Sequence, residues 1–140
     1  MILDRQTLFS DRQAITATAG SVDQIDLSPR GSGVIRDIGA GGAVPLYVQV
    51  VESFNNLTSL TISVQVDEDS AFGSPTTVAV SPAIPLAQLV AGFSFPQLVD
   101  NVPRGTNERY MRLLYTIAGT APTTGRITAG ISLTGPQTNG

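Results

Sequence analysis

The sequence predicts an all-β fold, a sandwich or barrel of antiparallel strands with at most one short helical turn, and three observations predict it. Several segments alternate strictly between apolar and polar residues, the period of a strand with one buried face. Fourteen glycines and nine prolines fall largely in clusters between those segments, where positive φ and a preset φ make turns. The segments are short and number about eight, which is the spacing of an all-β domain rather than of βαβ units. A chain of 140 residues with no internal repeat and no linker-like stretch reads as one domain spanning 1–140.

The chain opens with a lead-in, residues 1–10, carrying Ile2, Leu3, Leu8 and Phe9 ahead of the first patterned strand. These four are candidate contact residues of an N-terminal arm, the alternative being packing beneath the domain's own sheet. Weak strands follow at 14–19 and 22–27. In 46–54 (LYVQVVESF), Leu46, Val48, Val50 and Phe54 share one face. In 60–67 (LTISVQVD), Leu60, Ile62, Val64 and Val66 face inward, with Thr61, Ser63, Gln65 and Asp67 opposite. A weaker strand lies at 76–81, and 85–92 (PLAQLVAG) reads as a helical turn with proline at its start and glycine at its end. Another weak strand is expected at 93–99. Segment 109–118 (RYMRLLYTIA) sends Met111, Leu113, Tyr115 and Ile117 inward, and 126–133 (RITAGISL) does the same with Ile127, Ala129, Ile131 and Leu133. The turn clusters are 28–31, 39–42, 73–75, 103–105 and 121–125.

Composition narrows the chemistry. There is no Cys, His, Trp or Lys, and all eight basic residues are Arg. The usual transition-metal ligands and the common nucleophile–base pairs are therefore missing, leaving only carboxylate chemistry as a route to catalysis. No cofactor is expected. With 11 acidic against 8 basic residues the net charge is −3, which supplies no basic surface for nucleic acid. No apolar run approaches the roughly 20 residues of a membrane-spanning helix. The opening MILDR, charged at positions 4 and 5, lacks the apolar core of a signal peptide, so synthesis in a cytoplasm is the expectation.

Individual motifs are weak. Residues 31–36 (GSGVIR) start like a dinucleotide-binding loop, but Arg36 stands where the third glycine belongs and no helical pattern follows. Asp67, Glu68 and Asp69 offer three adjacent carboxylates, readable as a cation loop or as a solvated turn; the EF-hand positions for Gly and Glu hold Phe72 and Val78. Tyr47 and Tyr110 are the two rings a sugar site would use. More informative are Tyr47, Val51, Tyr110 and Leu114, apolar residues on the outward faces of their strands. They point either to burial on both sides of a sheet or to a surface that meets another chain. The low charged fraction, 14%, favours assembly, because interface cores are poor in Lys, Glu and Asp.

Collinear stretches across nearly the whole chain resemble the jelly-roll capsid cement (decoration) proteins of tailed bacteriophages. They are LFSD at 8–11, QAITATA at 13–19, IDL at 25–27, RDIG at 36–39 with PL at 45–46, AFGSPT at 71–76, ERYMRL at 108–113 and TGRITAG at 124–130. Arg126 departs from the lysine expected there, which leaves the strand intact but alters a surface position. The resemblance implies an antiparallel β-sandwich of jelly-roll type. It also implies a virion protein on the capsid exterior that clamps the major capsid protein, associates with itself as a homodimer or homotrimer, and performs no catalysis. A receptor- or glycan-binding module of a tail or fibre is the alternative. A carboxylate-only hydrolase is the third reading. The interface candidates are Ile2, Leu3, Leu8, Phe9, Tyr47, Val51, Tyr110 and Leu114.

Overall fold

A computed structural model describes residues 3–26, 46–95 and 110–132, with the backbone alone for 3–7, 26 and 132. The strands are β1 (Leu3–Ala14), β2 (Ala19–Gly20), β3 (Ile25–Asp26), β4 (Leu46–Glu52), β5 (Leu57–Asp67), β6 (Thr76–Val80), β7 (Ile84–Pro85), β8 (Tyr110–Gly119) and β9 (Arg126–Ser132). One sheet runs β1-β9-β4 and the other β2-β8-β5-β6, with β3 also on β8 and β7 also on β5; every pairing is antiparallel. Residues 92–95 extend the first sheet beyond β4. Gly92 N donates to Val50 O (2.8 Å), Val50 N to Phe93 O (2.8 Å) and Phe95 N to Val48 O (2.9 Å).

Counting β2 with β3 and β6 with β7 as single positions, and 92–95 as another, gives eight positions along the chain. They interleave as 1-8-3-6 in one sheet and 2-7-4-5 in the other, the jelly-roll order. The β1 edge lies over β2 and β3, since Asp23 N donates to Phe9 O across it (3.0 Å). The opposite flank therefore carries β6, β7 and residues 92–95 together.

The alternation read from β4, β5, β8 and β9 is what fills the space between the sheets. Val48 and Val50 from one sheet meet Leu60, Ile62, Val64, Leu113 and Tyr115 from the other, all at most 2% exposed. Each such side chain contributes about 1.5–3 kcal/mol by leaving water. One polar bridge crosses this core. The Tyr115 and Ser10 hydroxyls are 2.7 Å apart, both residues fully buried, and Ser10 Oγ also donates to Gln13 Oε1 (2.7 Å). Burial holds the Tyr115 phenol well above its ordinary pKa, with the Ser10 bond opposing that shift.

Several expectations are corrected. Residues 1–10 are not a lead-in from position 3 onward: they belong to β1, a 12-residue strand paired to β9. The expected strand at 14–19 is instead a bend between β1 and β2. There the chain crosses from one sheet to the other, Ile15 N donating to Gly125 O (3.1 Å) and Thr18 Oγ1 accepting from Ile117 N (3.0 Å). Of the strand at 22–27, Ile25–Asp26 is a strand and residue 27 lies outside the described residues; the helical turn at 85–92 tightens to a 3-10 turn, Leu86–Gln88. Of the strand at 93–99, Ser94 bridges Gln49, and residues 96–99 lie outside the described residues. The turn clusters at 28–31, 39–42 and 103–105, the GSGVIR stretch, Ile2 and Leu133 lie outside them too.

Candidate interaction surface

The sequence-derived contact residues are not gathered on one surface. Phe9 is completely buried in the main core, and its neighbour Leu8 is 9% exposed. For Phe9 this is the alternative the sequence left open, packing beneath the domain's own sheets. Leu3 lies in β1, described by its backbone. Tyr47 and Val51 are half-buried on β4, in one sheet, while Tyr110 and Leu114 are half-buried on β8, in the other. Tyr47 Oη accepts a hydrogen bond from Ser94 Oγ at 3.5 Å. The two tyrosines thus do not form one aromatic platform.

The outward face of the larger sheet is itself largely covered. Ser63, Gln65 and Asp67 on β5, expected to face solvent, are 7–8% exposed. Phe72, at φ 54°, folds back and is itself buried. The Arg112 guanidinium lies 4.3 Å from the Phe72 ring centroid, and Arg112 Nε donates to Gln65 Oε1 at 3.1 Å. Gly20 leaves room for that guanidinium, since a Cβ there would stand 2.9 Å from Arg112 Nη1.

The acidic turn beside it is organised by its own backbone. Asp67 accepts from Asp69 N through Oδ1 (3.0 Å) and from Ser74 N through Oδ2 (2.9 Å), and Asp69 Oδ1 accepts from Ala71 N (3.0 Å). The amides of Asp69 and Ser74, chiefly, hold the Asp67 carboxyl below the ordinary aspartate range. Among the described residues no group of three His, Cys, Asp or Glu is placed to hold a metal ion. A turn closed by its own backbone amides accounts for the Asp67 and Asp69 hydrogen bonds.

A different surface emerges at one end of the sandwich. The bend at 15–18 and the loops 53–56, 86–91 and 120–125 converge there and are tied together. Asn55 is the hub: its Nδ2 donates to Thr123 Oγ1 (2.8 Å), and its Oδ1 accepts from Thr123 N (2.8 Å) and Thr124 N (3.2 Å). Thr124 Oγ1 donates to Ser53 O (3.0 Å), Ser53 Oγ accepts from Ala91 N (3.0 Å), and Phe54 N donates to Leu89 O (3.0 Å). Gly125, at φ 132°, lets the backbone pass the Phe54 ring, where a Cβ would come within 2.3 Å.

These four loops contain no Asp, Glu, Lys or Arg. Charge resumes just below them, where Arg126 Nε sits 3.5 Å from Glu52 Oε2 and Glu52 Oε1 accepts from Gly125 N (3.1 Å). Among the described residues, β6, β7 and 92–95 on the adjoining flank carry no charge either, and in the sequence the charge-free run spans 70–99. Sequence reasoning passed over this gap by looking at outward strand positions. The signal was 30 consecutive residues without charge in a chain with 19 charged residues. A rigid, uncharged loop end offers shape and apolar contact, with little conformational entropy to lose on docking.

The fold and surface define a jelly-roll β-sandwich in which, among the described residues, the loops at one end and the flanking stretch 70–95 carry no charged side chain. The chain belongs to the Bbp16 family, whose family model matches residues 9–131. No curated protein matches the chain.

Proposed function

We propose that the protein is a capsid cement protein, one that binds the outside of a phage head and stabilises contacts between major capsid protein subunits. The observation that carries this reading is the uncharged loop end, braced by the Asn55, Thr123, Thr124 and Ser53 hydrogen bonds. Such a surface suits rigid docking onto another protein, and it asks for no nucleophile, cofactor or metal. The collinear resemblance to cement proteins across the chain supports the same reading. So does a net charge of −3, which disfavours a nucleic-acid partner.

On a shell, many copies engage at once, so modest contacts multiply through effective concentration. The partners in this account are the major capsid protein and further copies of the chain, as homodimer or homotrimer, on the capsid exterior. The test uses heads that lack the protein. Adding the purified chain should decorate their outer surface and raise the temperature at which they release DNA. Heads that neither bind it nor gain heat resistance would overturn the proposal.

A further inference from the structure

Residues 68–75 join β5 to β6 and reach back over the outward face of the larger sheet, held there by one ring and one carboxylate. Within the loop Phe72 alone is buried and every other residue is exposed. The Arg112 guanidinium, bonded through Nε to Gln65 Oε1, packs on the Phe72 ring. Phe72 takes φ 54°, a conformation that a bulky side chain adopts only where its surroundings impose it. The Asp67 carboxylate supplies that constraint. Its Oδ1 receives the Asp69 amide near the start of the loop and its Oδ2 the Ser74 amide near the end, so one group pins both feet. Between the feet, Phe72 N donates to Asp69 O (3.0 Å).

We propose that residues 68–75 form an acid-released lid, which leaves the sheet when Asp67 is protonated while the sandwich beneath stays folded. A carboxylate accepts through both oxygens, whereas the protonated group turns one of them into a donor. One foot is then unpinned, and the positive φ of Phe72 is no longer imposed. The groups around Asp67 fix the pH range. Glu68 and Asp69 of the loop carry like charge, and Arg112 on β8 carries the opposite charge. Tyr110 stands across from Asp67 in the β5–β8 register, with Asp26 of β3 beyond it, and the β6 neighbours Thr76 and Thr77 carry no charge. Acid titrates the carboxyls among these, and of the loop's own set only Asp67 holds both ends. The two amides hold its pKa below the ordinary 3.8, so the closed lid is fully favoured above that value and lost as pH falls through the lower one. Opening bares the Phe72 ring and the guanidinium stacked on it, a pair of groups closed to partners at neutral pH.

Amide hydrogen exchange by NMR, each rate corrected for its intrinsic pH dependence, tests this on the full chain. Below pH 3.8 the Phe72 and Ser74 amides of the wild type should lose protection by about tenfold or more, while the amides of central β5 and β8 stay protected. Asp67→Asn, which has a single side-chain acceptor, should expose the loop amides already at neutral pH and show no further step in acid. Glu68→Gln should keep the wild-type response, since its side chain pins neither foot. Pepsin at about pH 3 gives a second readout that needs no variant: it should cut the folded wild type first within 68–75. Wild-type loop amides that stay protected in acid, or that lose protection only together with β5 and β8, would overturn the proposal. So would a folded Asp67→Asn chain whose loop is as protected at neutral pH as that of the wild type, or pepsin cleavage that begins elsewhere among the described residues.

Discussion

Replacing Phe9 by alanine separates a core residue from a contact arm. Phe9 is 0% exposed and packs in the central cluster, so truncation removes a full aromatic side chain from a site walled by both sheets. Losses of this kind cost about 3–5 kcal/mol, part from lost burial and part from the cavity left behind. An unfolding entropy of about 2.1 cal/mol/K per residue, over 140 residues, gives roughly 0.3 kcal/mol per degree near the transition. The melting temperature should therefore fall by about 10–17 °C. Differential scanning calorimetry reads this directly. The reasoning fails if the melt shifts by less than about 3 °C while binding to heads is lost, because Phe9 would then be serving a partner.

Three further outcomes follow from the same geometry. Gly125→Ala should lose about 2–5 kcal/mol in urea unfolding, since it combines φ 132° with a Cβ 2.3 Å from the Phe54 ring; Gly73→Ala, with nothing within 4 Å, should stay within about 0.5 kcal/mol of wild type. The Asp67 carboxyl is held below its ordinary pKa of 3.8, so its contribution is complete above that value and is lost as pH falls through the lower folded pKa. Acid unfolding curves of Asp67→Asn should accordingly show a shallower limb below that pH than wild type, and identical limbs would contradict this. Tyr115 has its pKa raised from 10.0, so its contribution is intact below that value and declines at higher pH, where the unfolded chain ionises first. Its phenolate absorbance should appear only with alkaline unfolding, and Tyr115→Phe should flatten that limb of the stability curve.

The parts of the fold that could be read from the sequence are those where one strand face is buried and the other is polar. Strands β4, β5, β8 and β9 have such a buried face, whose described inward residues lie in or against the core, although β4 and β8 also carry apolar residues on the other face. Strand β1 does not follow that pattern. Its register with β9 slips between Leu3 and Leu8, between Leu8 and Ser10, and between Ser10 and Gln13, and those irregularities erase the period of two. The Thr/Ala run at 14–19 looked like a strand because those residues tolerate extended backbone. Its position as the crossing between sheets, where Thr18 takes the amide of Ile117, made it a bend. At the surface, alternation drew notice to Tyr47, Val51, Tyr110 and Leu114, each half-buried. The loop end was written in the sequence as missing charge, but its convergence depends on hydrogen bonds between loops far apart in the chain, such as Asn55 to Thr123.

The central claim is that this chain coats a capsid, and copy number per particle tests it most directly. Quantitative mass spectrometry of purified heads should find the chain at a stoichiometry comparable to that of the major capsid protein, distributed over the whole shell. A handful of copies per particle, confined to the tail or a single vertex, would contradict it.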